Sequence, residues 1–311
     1  MLGTPWWVWT LFLAFVALMT AVDLVVFQRK AHAISLKEAA AWSGAWIGLA
    51  LAFNLLVWGW LGPRPALEFL TGYLIEESLS LDNLFVFLVI FQYFSLASKL
   101  YRLVLTWGIL GAVILRGIMI FAGVALVNRF SFVIGIFGAL LLLTAVKLLF
   151  QKEERVDPDR NLLVRFARLF YPVVRDFHGT RFWVRRRDGR AAMTPLLVVL
   201  LVVSTTDVVF ATDSIPAIFA VTRDPFIVFT SNLFAVMGLR SIFFLLAGVL
   251  HKFRFLRHGL AAVLGFIGTK MVLEPWLHLS ILASLGGVVV LLAGSLAASL
   301  LFPATRKGKR P

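Results

Sequence analysis

Residues 204–223 read STTDVVFATDSIPAIFAVTR and place two carboxylates, Asp207 and Asp213, inside an apolar run from near Thr194 to about Thr222. A carboxylate at membrane depth costs about 2.5–3.5 kcal/mol on insertion scales. Two in one segment, six residues apart, are hard to attribute to packing. An upstream stretch from Leu74, LIEESLSLDNLFVFLVIF, repeats the layout with Glu76 and Asp82, also six apart. The rest of the chain reads as what holds these two stretches face to face.

Composition agrees with that reading. Of 311 residues, 60% are hydrophobic and 15% charged, against about 45–50% and about 25% in a soluble domain. The chain is therefore expected to be an all-α polytopic membrane protein. Its net charge of +14 sits in interhelical loops, which suits topology and anionic lipid and not a nucleic-acid partner. With no cysteine, disulfides, thiolate metal sites and thiol catalysis are excluded. Five histidines, mostly outside the apolar segments, give little basis for a soft-metal site.

Nine apolar segments are long enough to span the bilayer: 6–27, 39–61, 66–94, 103–127, 131–149, 194–222, 226–250, 258–275 and 279–302. The first, followed by Ala31-His32-Ala33, is read as a retained helix and not a signal peptide, because no basic residue precedes it. Basic residues alternate from loop to loop. Arg29, Lys30, Lys37, Lys99, Arg102, the arginine-rich 150–193 loop, Lys252, Arg254, Arg257 and the tail Arg306, Lys307, Lys309 and Arg310 fall on one side. Arg64, Arg129 and Arg223 fall on the other. This predicts an N-terminus outside and a C-terminus in the cytoplasm. Trp6, Trp7, Trp58, Trp60 and Trp276 then form an outer aromatic belt. Within the long loop, Leu162, Phe166, Leu169 and Val173 recur at helical spacing around Arg165 and Arg168. This predicts an amphipathic helix on anionic lipid, with a solvated basic connector as the alternative.

The two acidic stretches belong to related halves. Aligning Glu76 with Asp207 also aligns Asp82 with Asp213 and Asn83 with Ser214. LRGIMIFAGVAL from Leu115 matches LRSIFFLLAGVL from Leu239, pairing Arg116 with Arg240, and Lys147 pairs with Lys270 further on. The organisation is thus two N-terminal helices (1–65), a three-helix repeat (66–149), a basic loop (150–193), a second repeat (194–275), and a last helix with a basic tail (276–311). An odd number of spans per repeat, 3–5 and 6–8, puts the second copy into the membrane upside down. That is the inverted-repeat layout of secondary transporters, whose sites lie near the midplane.

Glu76, Asp82, Asp207 and Asp213 are the candidate metal ligands, with Asn83, Thr212, Ser214 and Asn232 as neutral oxygen donors. Hard divalent cations take this set of ligands. Arg116 and Arg240 are the candidate counter-charges; against four acids they leave minus two, the charge one divalent ion cancels. Six residues turn a helix through about 240°, so convergence of each acid pair requires a break between them. Pro216, which deprives the Thr212 carbonyl of its donor, supplies a reason for one in the second copy. Carboxylates released by the metal would take up protons, which suggests metal–proton exchange. Glu68, Glu77, Lys147 and Lys270 are read as structural or interfacial. An intramembrane aspartyl hydrolase is disfavoured by the lack of a GxGD signature.

Three stretches carry a resemblance: ALEFLTGYLIEESLSLDNLFVF from Ala66, DVVFATDSIPAIFAVTRDPFIVFTSNLFAVMGLRSIFFLLAG from Asp207, and GFIGTKM from Gly265. Together they resemble the TerC family, named for tellurium resistance and including Alx-type membrane proteins, over about 66–302. The resemblance implies nine spans and a role in manganese export, with the family's intramembrane acids on Glu76, Asp82, Asp207 and Asp213. This chain has Ser204 where the family often carries glutamate, and Glu77 where many members carry lysine. The leading expectation is a Mn²⁺ exporter and not an enzyme, with no tightly bound cofactor. The competing one is a membrane stress or metal-resistance scaffold without transport of its own. Oligomeric state stays open, as does the choice among Mn²⁺, Ca²⁺ and Mg²⁺.

Overall fold

The structure is a computed structural model, and it describes residues 4–28, 35–130, 132–150, 161–186, 189–247, 255–274, 276 and 279–301. The predicted basic positions Arg29, Lys30, Lys152, Arg155, Arg160, Arg187, Lys252 and Arg254, the tail from Phe302 and the cleavage-like Ala31-His32-Ala33 lie outside the described residues.

The chain is helical almost throughout. Its helices are α1 (Trp6–Gln28), α2 (Leu36–Leu61), α3 (Pro63–Tyr93), α4 (Ser98–Arg129), α5 (Phe132–Phe150), α6 (Leu162–Phe170), α7 (Pro195–Phe219), α8 (Pro225–Ala247), α9 (Leu256–Leu273) and α10 (Ile281–Leu301). Among the described residues, seven are long and apolar enough to cross a membrane: α2, α4, α5, α7, α8, α9 and α10. The expected nine segments coincide with nine long helices, but composition alone qualifies only these seven. In α1 the apolar stretch is Trp6–Ala21. α3 has ample length, yet every full-span window in it includes at least three charged residues, Glu76 and Glu77 among them. The candidate site itself weakens the apolar signature of its helix.

Sequence punctuation sets the corners. Gly62, at φ 92°, ends α2 with its N–H donated to the Trp58 carbonyl at 3.0 Å, and Pro63 opens α3 at once. A left-handed residue followed by a proline at the first helical position reverses the chain without a loop. At the same end of the bundle Trp7 meets Trp60, with ring centroids 6.2 Å apart.

α8 is the hub. Its span is 94% buried, whereas that of α10 is only 17% buried and lies at the periphery. α8 packs on α2, α3 and α4; α4 packs on α7, α5 on α9, and α10 on α9 and α3. One aromatic-rich cluster, including Phe12, Phe53, Phe69, Phe226, Phe229 and Phe234, fills one half of the bundle. A second, aliphatic cluster with Leu84, Ile90, Val104, Val199, Val203 and Phe243 fills the other.

The 150–193 region is more ordered than a basic connector. Asn161 caps α6, its side chain accepting from the Val164 N–H at 3.2 Å. Val164 is fully buried, and Leu163, Phe166, Leu169 and Phe170 are exposed beside Arg165 and Arg168. The amphipathic helix is therefore present but shorter than the spacing suggests, ending at Phe170, two residues before Pro172. Beyond it lies an unanticipated hairpin, β1 (Trp183–Arg185) against β2 (Ala191–Met193). The Asp188-Gly189 dipeptide is the turn signal that would have found it. Thr194 joins this unit to α7: its N–H donates to the Phe182 carbonyl at 3.0 Å, and its hydroxyl to the Arg181 carbonyl at 2.8 Å.

α5 and α9 meet backbone to backbone at Gly138 and Gly268. A Cβ built on Gly268 would lie 2.9 Å from the Gly138 carbonyl and 3.1 Å from Leu141 Cβ. In lipid, where apolar burial between helices contributes little, such close approach is a main source of helix association. Gly268→Ala is expected to destabilise the protein by about 1–3 kcal/mol. Gly135→Ala on α5, whose Cβ would meet nothing within 4 Å, should be neutral or stabilise it slightly. Thermal unfolding in detergent checks the pair, and equal midpoints would contradict the contact.

Candidate functional site

Glu76 lies near the middle of α3, Asp207 near the middle of α7, and Arg116 near the middle of α4. All three are buried, at 0%, 4% and 2% exposure. Arg116 binds both acids. Its Nε and Nη2 donate to Asp207 Oδ2 and Oδ1 at 3.1 and 2.9 Å, a bidentate fork, while Nη1 donates to Glu76 Oε1. The other Glu76 oxygen, Oε2, accepts from the Asn232 amide of α8 at 2.9 Å. Ser214 Oγ and Asn232 Oδ1 each lie 3.5 Å from Arg116 Nη1, and Ser80 Oγ lies 3.4 Å from Glu76 Oε1. Four helices, α3, α4, α7 and α8, thus meet in one buried polar cluster. Isolated charges here would be prohibitive; the fork geometry and complete hydrogen bonding make the cluster tolerable.

Of the predicted residues, the structure brings together Glu76, Asp207, Ser214, Asn232 and Arg116. The two outer acids are elsewhere. Asp213 accepts from the Thr144 hydroxyl of α5 at 2.9 Å. Asp82 is half-buried, six residues past Glu76 on α3. The convergence of four acids therefore does not occur, because the expected helix breaks do not occur. α3 is continuous from Pro63 to Tyr93, and α7 from Pro195 to Phe219 with Pro216 inside it. Pro216 stands one turn from the end of α7, where the loss of a single backbone bond is tolerated without unwinding.

The direction of the two helices fixes where the outer acids go. Glu68, near the start of α3, accepts from Thr222, just beyond the end of α7, at 2.7 Å. Glu76 and Asp207 meet at mid-helix, so α3 and α7 run antiparallel. Six residues of helix advance about 9 Å. Asp82 and Asp213 are therefore displaced toward opposite ends of the bundle. Among the described residues no group of three or more histidine, aspartate and glutamate side chains is placed to hold a metal ion.

The supporting residues divide similarly. Thr212 is exposed on α7 and donates to the Val209 carbonyl of its own helix at 2.6 Å, so it faces away from the cluster. Asn83 is buried seven residues below Glu76, and its amide nitrogen has no hydrogen-bond partner among the described residues. Arg240 is also buried, but its Nη1 donates to Thr106 of α4 at 3.1 Å. The counter-charge at the acid pair is thus Arg116. Lys270, read as structural, ties the end of α7 to α10 by donating to the Ala220 carbonyl at 3.0 Å and to Ser284 at 2.8 Å. Sequence reading missed Ser80 and Thr144; small hydroxyl residues are too common in membrane helices to stand out.

A narrow apolar pocket reaches Asp207 between α3, α4, α7 and α8, walled by Leu84, Phe87, Gly108, Ala112, Val203 and Leu239. Ala112 and Gly108 lie one and two turns before Arg116 on the same face of α4.

Removing one member of the buried cluster leaves a charge without its partner. Asp207→Asn or Glu76→Gln is expected to cost about 3–5 kcal/mol of stability. Asp213→Asn keeps an acceptor for Thr144 and should change stability by less than about 1 kcal/mol. Unfolding midpoints in detergent would show this ranking; equal losses at Asp207 and Asp213 would contradict the assignment of the cluster to Asp207.

Comparisons with known proteins agree with this architecture. Residues 61–307 match the model described as "Integral membrane protein TerC family". The chain is 50% identical over 299 residues to "Uncharacterized membrane protein STKORF319" of Myxococcus xanthus, covering 96% of this chain and 93% of that protein. It is 48% identical over 295 residues to "Putative membrane-bound redox modulator Alx" of Escherichia coli K12, covering 92% and 91%. It is 42% identical over 255 residues to "Thylakoid membrane protein TERC, chloroplastic" of Arabidopsis thaliana, covering 82% and 66%. No solved structure matches the chain. The resemblance carried by the two acidic stretches thus extends over nearly the whole sequence, and the chain belongs to the TerC family of integral membrane proteins.

Proposed function

We propose that the chain exports a divalent metal ion, Mn²⁺ in preference, through the buried cluster of Glu76 and Asp207. The observation that carries this reading is the pair of carboxylates at mid-helix, facing each other across four helices, with Asn232 and Ser214 adding neutral oxygens. Hard oxygen donors of this kind suit Mn²⁺, Mg²⁺ or Ca²⁺ and offer nothing to an anion such as tellurite. Asp82 and Asp213, at other depths, serve as flanking stations where an ion enters or leaves.

The helix pairing supports the transporter layout. Exchanging α3, α4 and α5 with α7, α8 and α9 turns the α3–α8 pairing into the α7–α4 pairing and returns α5–α9 to itself. Two inverted three-helix repeats within nine spans account for this. The positive-inside distribution supports an N-terminus outside and a cytoplasmic 150–193 loop in a bacterial inner membrane. The carboxylates of the flanking stations, Asp82 and Asp213, accept protons when the ion leaves them, so export is coupled to proton entry.

One observation favours a second reading. The hydrogen bonds of the cluster are complete without an ion, as a purely structural network in a membrane scaffold would be. The redox role in the name of the Escherichia coli relative fits this chain only indirectly, since without cysteine it has no thiol chemistry of its own. Everted vesicles loaded by external Mn²⁺ separate the two readings. Transport predicts uptake that falls at least about tenfold in Asp82→Asn and, in the folded fraction, in Asp207→Asn. It also predicts that uptake slows when the pH gradient is collapsed. Uptake equal to that of protein-free membranes would leave the scaffold; uptake indifferent to pH would remove the proton coupling.

The exposed apolar side chains of α6, flanked by Arg165 and Arg168, are assigned to the anionic surface of the inner leaflet. The cysteine-free chain allows a single spin label at Phe166→Cys. In nanodiscs of phosphatidylglycerol the label is expected below the headgroups, and in phosphatidylcholine nearer to water. A label equally wet in both lipids would refute the assignment.

A further inference from the structure

We propose that the Arg116 guanidinium is a tethered stand-in for the transported cation, which must withdraw before an ion can bind. This inference rests on the transport reading above.

The geometry shows a cation's coordination shell with arginine inside it. Nη1 is surrounded by oxygens of three side chains: Glu76 Oε1, Ser214 Oγ at 3.5 Å and Asn232 Oδ1 at 3.5 Å. Nη2 and Nε take both oxygens of Asp207. Each carboxylate oxygen of the two acids already accepts a hydrogen bond, the last of them Glu76 Oε2, from Asn232. While the fork remains closed these oxygens face its positive charge, and an ion approaches them only against that repulsion. Two carboxylates facing each other without a cation would repel strongly in the interior. A charge carried on α4 removes that repulsion and cannot diffuse away.

Ion and arginine therefore compete for the same oxygens. An arriving divalent ion brings twice the charge in a smaller volume, and it displaces the fork. Ala112 and Gly108, the small residues one and two turns before Arg116 on the same face of α4, line a narrow apolar gap beside Asp207, and withdrawal of the aliphatic stem in that direction requires the gap to widen. When the ion leaves, the guanidinium returns and resets the site. Arg240, the matching arginine of the second half, stands at Thr106 and does not fill this role at the acid pair.

The sign of the effect on binding distinguishes this from a structural arginine. Mn²⁺ binding is measured by titration calorimetry on purified protein, together with Mn²⁺ uptake in everted vesicles. Arg116→Gln is expected to bind Mn²⁺ at least about tenfold more tightly than the wild type and to transport it at least about tenfold more slowly, the ion being no longer displaced. Added Mn²⁺ should also raise the unfolding midpoint of Arg116→Gln more than that of the wild type, because the ion replaces the missing charge. Arg116→Lys retains a charge but not the fork; it folds without added metal and should bind with intermediate affinity. Binding in both variants that equals or falls below that of the wild type would overturn the proposal while leaving the transport reading intact. Absence of Mn²⁺ binding in wild type and variants alike would overturn both.

Discussion

Two carboxylates and one arginine buried in the middle of a membrane-protein helix bundle impose a condition on everything around them. None of the three is tolerable alone at that depth, and together they still carry an excess negative charge. The fold answers by bringing four helices to one point. α3 and α7 each supply an acid at mid-length, α4 supplies the shared guanidinium, and α8 supplies the amide that completes the hydrogen bonding. The burial of α8, high for any membrane helix, follows from this: it is the element that closes the cluster from the remaining side. Aromatic packing in one half and aliphatic packing in the other flank the cluster.

The broad architecture was legible because the bilayer leaves few choices. Apolar run length and loop charge yield the helices and their limits to within a few residues. The partnership of Arg116 with Asp207 was legible as charge balance, though not as geometry. Convergence of all four acids was not correct. It assumed that a helix with an interior proline must open, whereas Pro216 sits where opening is unnecessary. Nor did the sequence show that Arg116 would take both Glu76 and Asp207 while Arg240 reaches Thr106. That difference depends on packing angles, which periodicity does not record. The β1–β2 hairpin was missed because three-residue strands carry too little pattern to rise above an arginine-rich background.

Belonging to the TerC family constrains the reading without completing it. The names borne by relatives point to a redox-related role in one case and to a thylakoid location in another. A cation transported at the centre of the bundle is compatible with both, since metal supply affects redox enzymes and photosynthetic membranes alike. Thiol chemistry is not available to this chain.

The glycine crossing of α5 and α9 bears on how such a bundle can move. Gly138 and Gly268 bring α5 and α9 so close that either backbone would collide with one added methyl group on the other. Side-chain packing can slide, since rotamers adjust; a backbone-on-backbone contact has no such freedom. If the helices on its two sides rock against each other to expose the acids first to one side of the membrane and then to the other, this crossing is the natural fulcrum. The largest displacements would then fall far from it, at the α3–α8 and α4–α7 seams where the carboxylates lie.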